Sequence, residues 1–266
     1  MKQDPPSLKV GYDPLRLAES VRQVVVRVEN RVELRKYYRF RGGRWYGGIA
    51  TADCVGCNLK CKFCWSWKIR DNPGSHGLFY DPETVASRIM KIMAKRRYRQ
   101  ARISGGEPSL SMNHLVRVLE AIERNAPRAL FILETNGILL GARREYARML
   151  SRFKNLHVRV SLKGCSEEEF HMLTGARPVA FNLQLKALEN LLNEGVSVNP
   201  AVMLSFSSKE NVEKLKERLR EIDKVLLEEF EEEYVFLYPH VKELLRKHGL
   251  EPKIAFHPDN IPEELV

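Results

Sequence analysis

Three cysteines, Cys57, Cys61 and Cys64, lie within one short segment and are the residues of this sequence best suited to chemistry. Because the segment is short, their thiolates are expected to converge on one inorganic centre. Cysteine thiolates are the usual ligands of iron–sulfur clusters. A four-iron cluster with three protein ligands keeps one iron open, and an open metal position is typical of a catalytic site. The spacing therefore predicts a catalytic [4Fe–4S] cluster.

A four-cysteine zinc site that adds Cys54 to this set is the alternative. Zinc ribbons usually place about 15–20 residues between their two CxxC pairs, whereas only residues 58–60 separate the pairs here. A disulfide framework is disfavoured, because the chain has five cysteines and its first residues do not form a signal peptide. We predict that Cys54 and Cys165 are not ligands. A metal-bearing nucleic-acid-binding module without catalysis stays the non-enzymatic alternative.

The composition predicts one soluble domain. The chain has 266 residues, of which 44% are hydrophobic, and α/β barrels of this size are commonly undivided. No run of residues approaches the roughly 18 apolar residues that a membrane span needs. Cysteines that stay reduced and an oxygen-sensitive cluster both favour a cytoplasmic location.

The charge is strongly basic but uneven. The formal net charge is +10 with a pI near 9.4, which is compatible with an acidic partner such as RNA. Residues 37–46 interleave arginines with aromatic residues, as nucleic-acid-binding surfaces do, although a solvated face is the commoner explanation. Residues 228–233 are acidic instead. The high share of charged residues, 29%, is also typical of thermophilic proteins.

The elements that must position the cysteines alternate between strands and helices. Strands are expected over 47–52, 101–104, 130–135, 156–162, 196–205 and 234–238. Helices are expected over 13–36, 82–97, 111–124, 142–152, 166–172, 181–194, 209–222 and 240–248. Such alternation predicts βαβ units and a parallel sheet, here an α/β fold with a partial (β/α)6 TIM-like barrel.

Three segments are expected along the chain. Residues 1–46 form an N-terminal helical and basic extension, residues 47–240 form the barrel, and residues 241–266 form a C-terminal helix and short tail. In barrels the chemistry lies at the carboxyl ends of the strands. Three polar segments follow predicted strands in this way, at 104–108, 134–137 and 161–165.

The cysteine motif CxxxCxxC, with Phe63 before its last cysteine, resembles that of the radical S-adenosylmethionine (SAM) enzymes. Gly105-Gly106-Glu107, which follows the cysteine motif by about 40 residues, resembles the GGE motif of the same superfamily. The resemblance implies a [4Fe–4S] cluster and SAM as cofactors, and an external electron donor of ferredoxin or flavodoxin type. It implies reductive cleavage of SAM to methionine and a 5′-deoxyadenosyl radical, which abstracts a hydrogen atom from the substrate.

The resemblance also implies roles for individual residues. Cys57, Cys61 and Cys64 would bind the cluster and, with Lys163, form the catalytic set. The residues implied to contact SAM are Phe63, Gly105, Gly106, Glu107, Glu134, Asn136, Ser161, Lys163, Met203 and His240. Alternation along a strand places Ser161 and Lys163 on one side of it, so that the lysine needs an anionic partner inside the barrel.

Two subgroups share the GGEP, ETNG and LK patterns. Glycyl-radical-enzyme activases carry an aspartate where Ser161 stands, and 7-carboxy-7-deazaguanine synthases carry a threonine where Trp65 stands. Wyosine-type tRNA enzymes, a third relative, have additional cysteines that this chain lacks. Activation of a protein is slightly favoured as the function. Modification of RNA or of a nucleobase-like molecule is the alternative, because of residues 37–46.

Overall fold

The protein is described here by a computed structural model that covers residues 11–262. It begins with helix α1 (Pro14–Val25) and a hairpin of strands β1 (Val26–Glu29) and β2 (Val32–Gly43). The predicted helix over 13–36 is therefore wrong beyond Val25. Asn30 and Arg31 both have positive φ, at 49° and 64°, which is the backbone of a two-residue hairpin turn. The adjoining β-branched valines favour a strand over a helix.

Six parallel strands form the core and confirm the partial (β/α)6 barrel. They are β3 (Ile49–Cys54), β5 (Gln100–Gly105), β6 (Leu130–Thr135), β7 (Leu156–Leu162), β8 (Ser197–Met203) and β9 (Glu231–Glu233). Neighbours in the sheet follow the order β1-β2-β3-β5-β6-β7-β8-β9, and β4 (Leu78–Tyr80) pairs with β2. The carboxyl ends of the six parallel strands therefore meet at one end of the barrel.

The sixth strand differs from the prediction. It is Glu231–Glu233, paired in parallel with Ala201–Met203 of β8, rather than 234–238. Strand β10 (Val235–Phe236) instead pairs with β11 (Ala255–Phe256) in a separate two-stranded sheet. Two residues of the acidic segment, Glu231 and Glu233, find a cationic partner in Arg159 inside the barrel.

Helices cover the outside of the sheet. They are α2 (Trp67–Asp71), α3 (Pro82–Arg96), α4 (Met112–Asn125), α5 (Ile138–Ala142), α6 (Arg144–Leu150), α7 (Glu167–Thr174), α8 (Phe181–Asn193), α9 (Lys209–Ile222), α10 (Val225–Glu228) and α11 (Pro239–Lys247). The helix predicted over 142–152 is confirmed as α6, and the short helix α5 before it was not predicted. Apolar side chains such as Val85, Leu115 and Leu188 are fully or almost fully buried between the two layers. Between residues 11 and 262, no helix is both long and apolar enough to cross a membrane.

The hairpin and the barrel form one continuous sheet. Strand β2 pairs antiparallel with β3 from Tyr37 to Gly43, so residues 26–43 extend the sheet and are not a helical extension. The boundaries proposed at 46 and 240 stay predictions. At the amino end of β3, the Trp45 ring stacks on Phe236, with 5.7 Å between the ring centroids. This contact joins the two sides of the open barrel.

Candidate functional site

The three cysteines lie on the loop that follows β3, at the carboxyl end of the barrel. Hydrogen bonds of 2.8 Å from the Gly106 amide to the Cys54 carbonyl and from the Glu107 amide to the Gly56 carbonyl join the start of this loop to the segment after β5. Arg70 donates to the Cys61 carbonyl at 2.7 Å. The loop is therefore fixed to the sheet at its start and to α2 further along.

Hydrogen-bond donors point at the cysteine sulfurs. The Leu59 amide lies 3.4 Å and the Asn136 Nδ2 3.6 Å from the Cys57 Sγ, and the Ser66 hydroxyl, whose proton is donated to the Gly105 carbonyl, lies 3.4 Å from the Cys64 Sγ. Burial raises the pKa of Cys61 to about 11, with the Lys163 ammonium acting against this and the neighbouring Cys64 thiol reinforcing it. Donors around sulfur atoms are one of the means by which proteins tune iron–sulfur clusters.

The residues present fit a cluster rather than a single ion. Among residues 11–262, no three His, Cys, Asp or Glu side chains are arranged as ligands of one metal ion. In a cube each cysteine binds a different iron. Cys54 belongs to β3 and is 1% exposed. Asn58 next to Cys57 is fully buried, and its Nδ2 has no protein partner in the described structure. A group with acceptor atoms beside it would satisfy that amide.

The two glycines after β5 allow the cluster loop to lie against the next strand. A Cβ atom on Gly106 would lie 2.1 Å from the Gly56 carbonyl oxygen, which no other residue can accommodate without a backbone shift. Gly105 has a φ of +91° and its carbonyl accepts from the Ser66 hydroxyl at 3.3 Å. The structure therefore explains both glycines by backbone packing, and a SAM contact for them stays a prediction.

Glu107 is a buried clamp between strand ends. Its carboxylate accepts from the Ser109 amide and hydroxyl at 3.0 and 2.6 Å, from the Thr135 hydroxyl at 2.7 Å, and from the Asn136 amide at 2.8 Å. The side chain is thus occupied by the protein. Any contribution of Glu107 to SAM binding would come from its backbone or from the position that it gives Asn136.

Asn136 is the predicted residue that the structure brings nearest to the cluster loop. Its Nδ2 donates to the Asn58 Oδ1 at 2.7 Å, and its Oδ1 accepts from the Ile138 amide at 3.1 Å. Glu134 points into the barrel instead. There it binds Arg102 at 2.6 Å and the Ser104 hydroxyl at 2.5 Å.

Lys163 lies between the cluster loop and β9. Its ammonium donates to the Ser161 hydroxyl, lies 3.8 Å from the Glu233 carboxylate and 6.0 Å from the centroid of the Phe63 ring. Ser161 in turn donates to Glu233 at 2.5 Å. The anionic partner that the sequence required for this lysine is therefore a residue of the protein.

The remaining predicted residues surround the same end of the barrel. Phe63 is 9% exposed and packs on Phe206, with 5.8 Å between ring centroids, and Met203 at the end of β8 is 5% exposed. The His240 Nε2 lies 2.7 Å from the Trp65 carbonyl, and the Trp67 indole donates to the His240 carbonyl at 3.0 Å. His240 thus braces the segment after the last cysteine.

Comparison with known families decides the affiliation. The Radical SAM superfamily model matches residues 53–222, from the end of β3 through the cysteine loop and beyond β8. The chain belongs to the radical SAM superfamily. It is therefore an iron–sulfur enzyme whose cofactors are a [4Fe–4S] cluster and SAM. Cys57, Cys61 and Cys64 are the residues that would hold the cluster.

Individual relatives are distant. A probable GTP 3′,8-cyclase of Methanosarcina acetivorans is 29% identical over 156 residues, which are 58% of this chain and 44% of the cyclase. The chain thus spans less than half the length of that relative.

Among solved structures, Streptococcus suis SuiB bound to SAM has a TM-score of 0.52 and 20% identity, over 63% of this chain and 36% of SuiB. A spore photoproduct lyase variant with bound SAM and a dinucleoside has a TM-score of 0.57 and 12% identity, over 81% and 65%. At these identities the similarity shows the fold.

Ion pairs line the lumen of this radical SAM barrel. These pairs were not predicted from the sequence. Arg159 on β7 donates to Glu231 at 2.6 Å through each of two nitrogens and to Glu233 at 2.9 Å. Arg102 on β5 pairs with Glu134 on β6. Burial would raise the pKa of Glu134, but Arg102 and then Arg159 hold it below its usual value. Charged residues at alternate positions of the strands are the sequence pattern that indicates such pairs.

Two arginines of the predicted basic segment also bind a buried carboxylate of this radical SAM barrel. Arg39 and Arg41 on β2 donate to the same oxygen of Asp53, at 2.7 and 2.8 Å, and Asp53 is fully buried. The Arg39 guanidinium lies 5.4 Å from the ring of Trp65, the residue after Cys64. One carboxylate thus serves two cations, and both arginines keep N–H groups for another acceptor.

Proposed function

We propose that this enzyme cleaves SAM reductively at a cluster held by Cys57, Cys61 and Cys64 and abstracts a hydrogen atom from a substrate in the lumen. The observation that carries the proposal is the set of three thiols at the carboxyl end of the barrel, approached by the donors of Leu59 and Asn136. When bound, the cluster and SAM supply the one-electron chemistry that yields methionine and a 5′-deoxyadenosyl radical.

The chain's own residues hold, orient and shield these groups. Asn136 donates toward Cys57 and is itself fixed by the carboxylate of Glu107. We propose that Lys163, held by Ser161 and Glu233, presents its ammonium to the SAM carboxylate. Phe63 and Met203, both almost fully buried, exclude water from the same region. A dry site of this kind protects a reactive intermediate from side reactions.

Anaerobic reconstitution tests the proposal. The enzyme is reduced with dithionite in the presence of SAM, and 5′-deoxyadenosine is measured by chromatography. Wild type and the Cys54→Ala variant are expected to form it, and the variants Cys57→Ala, Cys61→Ala and Cys64→Ala are not. No product from wild type, with zinc bound instead of iron, would disprove the enzymatic function.

The substrate is proposed to be a phosphate-bearing nucleotide or RNA. Arg39 and Arg41 share Asp53, and guanidinium groups with free N–H groups suit phosphate oxygens. The similarity to a probable GTP 3′,8-cyclase supports the same class. A protein substrate, which the motif resemblance favoured, is the second candidate.

Acid extraction of anaerobically purified enzyme, followed by nucleotide and RNA analysis, separates the two classes. Wild type is expected to retain nucleotide or RNA that the Arg41→Gln variant loses. Equal and negligible amounts in both preparations would favour the protein substrate.

A further inference from the structure

The cluster loop reaches solvent on the side away from the lumen. Lys60, between Cys57 and Cys61, is exposed, and its amide donates to the Tyr12 hydroxyl at 2.8 Å. An open groove of about 330 Å³ lies here. Its lining includes Tyr12, Arg16, Lys60 and Arg177. The backbone of a single loop therefore separates the cysteine ligands from this groove.

The rim of the groove is continuous with the end of α7. The Lys62 amide donates to the Leu173 carbonyl at 2.8 Å, and the Lys62 ammonium donates to the Met172 carbonyl at 2.6 Å. The Arg177 amide donates to the Tyr12 carbonyl at 2.9 Å. We call this area the cluster-side surface. It consists of Arg16, Lys60, Lys62, Met172, Arg177 and Val179.

The cluster-side surface is positive. Four of its six residues are lysine or arginine, and Arg177 has one anionic neighbour in Asp13, at 3.5 Å. The pKa of His248, at the end of α11, is lowered by desolvation and then by Lys62, Lys247 and Arg70, of which only Lys62 belongs to this surface.

The same surface has two exposed apolar side chains. Met172 is 39% and Val179 44% exposed. Methionine is common at surfaces that bind partners, because its side chain adapts to different shapes. Apolar side chains among charged ones are the usual composition of a protein–protein interface.

We infer that the cluster-side surface docks a small acidic one-electron carrier protein, the donor that reduces the cluster. This rests on the proposed function. The donor's own centre loses one electron and is oxidised, and the cluster held by Cys57, Cys61 and Cys64 gains it and is reduced. The proposed function assigns Lys163 to SAM and Arg39 and Arg41 to the substrate, so the donor needs cations on another side of the cluster loop.

The first test measures binding. The probe is an acidic, low-potential ferredoxin in its oxidised form, and binding to the cluster-loaded enzyme is followed by calorimetry at several salt concentrations. The double variant Arg16→Glu/Lys60→Glu is expected to weaken the affinity by about tenfold or more and to reduce its salt dependence. The control Arg99→Glu/Arg128→Glu makes the same change in net charge at the opposite end of the barrel, where both residues are exposed.

The second test measures 5′-deoxyadenosine formation with two reductants. With reduced ferredoxin, the Arg16→Glu/Lys60→Glu variant is expected to lose about tenfold or more of the rate at limiting ferredoxin. With dithionite, which needs no docking surface, its rate stays within about twofold of wild type, as does that of the control.

Three results would overturn the inference. They are wild type that binds ferredoxin no better than the charge-reversed variant, an equal loss of affinity in both double variants, and a rate with ferredoxin that the Arg16→Glu/Lys60→Glu variant leaves unchanged. Failure of wild type with dithionite would instead disprove the proposed function, and the binding arm would still report on the surface.

Discussion

The Arg159 guanidinium donates two hydrogen bonds to the Glu231 carboxylate, from Nε and Nη2, each 2.6 Å from a carboxylate oxygen. The pair spans β8, because Arg159 lies on β7 and Glu231 on β9. The third Arg159 nitrogen binds Glu233, which also receives the Ser161 hydroxyl. The last strand of the barrel is thus attached through charges in the lumen as well as through backbone hydrogen bonds.

Replacing Arg159 with Gln is expected to destabilise the protein by about 2–4 kcal/mol, because it leaves Glu231 without its cation and Glu233 with Lys163 alone, at 3.8 Å. Urea unfolding followed by circular dichroism measures the change. The control is Arg152→Gln, which breaks a pair with Glu120 that is about half exposed and should cost less than about 1 kcal/mol. Equal losses in both variants would show that the lumen pairs contribute no more than surface pairs.

The Glu107→Gln variant tests the carboxylate clamp. Its amide group would face donors from Ser109, Thr135 and Asn136, so that at least one buried donor loses its acceptor. We expect a loss of about 2–3 kcal/mol in unfolding free energy. The exposed Glu123→Gln on α4 serves as the control. A Glu107→Gln protein as stable as this control would contradict the role of Glu107.

The Gly106→Ala variant is expected to prevent normal cluster loading, since its Cβ would meet the Gly56 carbonyl oxygen at 2.1 Å and push the cysteine loop from β5. Iron and sulfide bound per chain after anaerobic reconstitution provide the measurement. Gly74→Ala is the matched control, because a Cβ there comes no nearer than 4.0 Å to the Val24 side chain. Full cluster content in Gly106→Ala would show that the loop tolerates the displacement.

His114 gives the protein a pH-dependent stability. Its ring is buried, accepts from the Tyr37 hydroxyl at 3.1 Å and lies 2.9 Å from the Glu33 carbonyl, an arrangement that suits the neutral form. Burial lowers its pKa from 6.5 to about 4. Between these values the unfolded chain takes up a proton that the native state does not. Stability is therefore full above pH 6.5 and decreases as the pH falls toward 4.

The expected slope is about 1.4 kcal/mol per pH unit for this one proton. Unfolding free energies of wild type and His114→Gln, measured between pH 5 and 7, isolate it, because carboxylates contribute equally to both proteins. The glutamine can keep both hydrogen bonds but does not titrate. Parallel curves for the two proteins would show that His114 is protonated in the native state.

The elements of the fold that could be predicted are those whose own residues determine their structure. Strand β6 begins with a short apolar run, and β5 and β7 alternate apolar and polar residues between helical patterns. The cysteine loop follows a strand as in other barrels. Strand β9 could not be predicted in this way. Glu231 and Glu233 have poor strand propensity, and the charge that stabilises them belongs to Arg159, which lies 72 residues before Glu231 and 74 before Glu233.

In the site, too, features set by neighbouring residues could be predicted and contacts between distant residues could not. The spacing of Cys57, Cys61 and Cys64 predicts the cluster ligands, and the family match shows the superfamily to which the chain belongs. The partners of Glu107 and Lys163 could not be predicted, since Thr135 and Glu233 reach them only when distant strand ends meet. The hairpin after Val25 was missed although Asn30 is a common hairpin-turn residue.

The charge arrangement of the lumen also affects how the protein is made. During synthesis Arg159 leaves the ribosome long before Glu231 and Glu233, so a nascent chain that ends at β8 carries this cation without its anions. A buried charge without a partner is costly, and the growing barrel therefore cannot close tightly around it. The short acidic strand supplies the missing charges, so that its emergence is the event that allows the barrel to reach its final form.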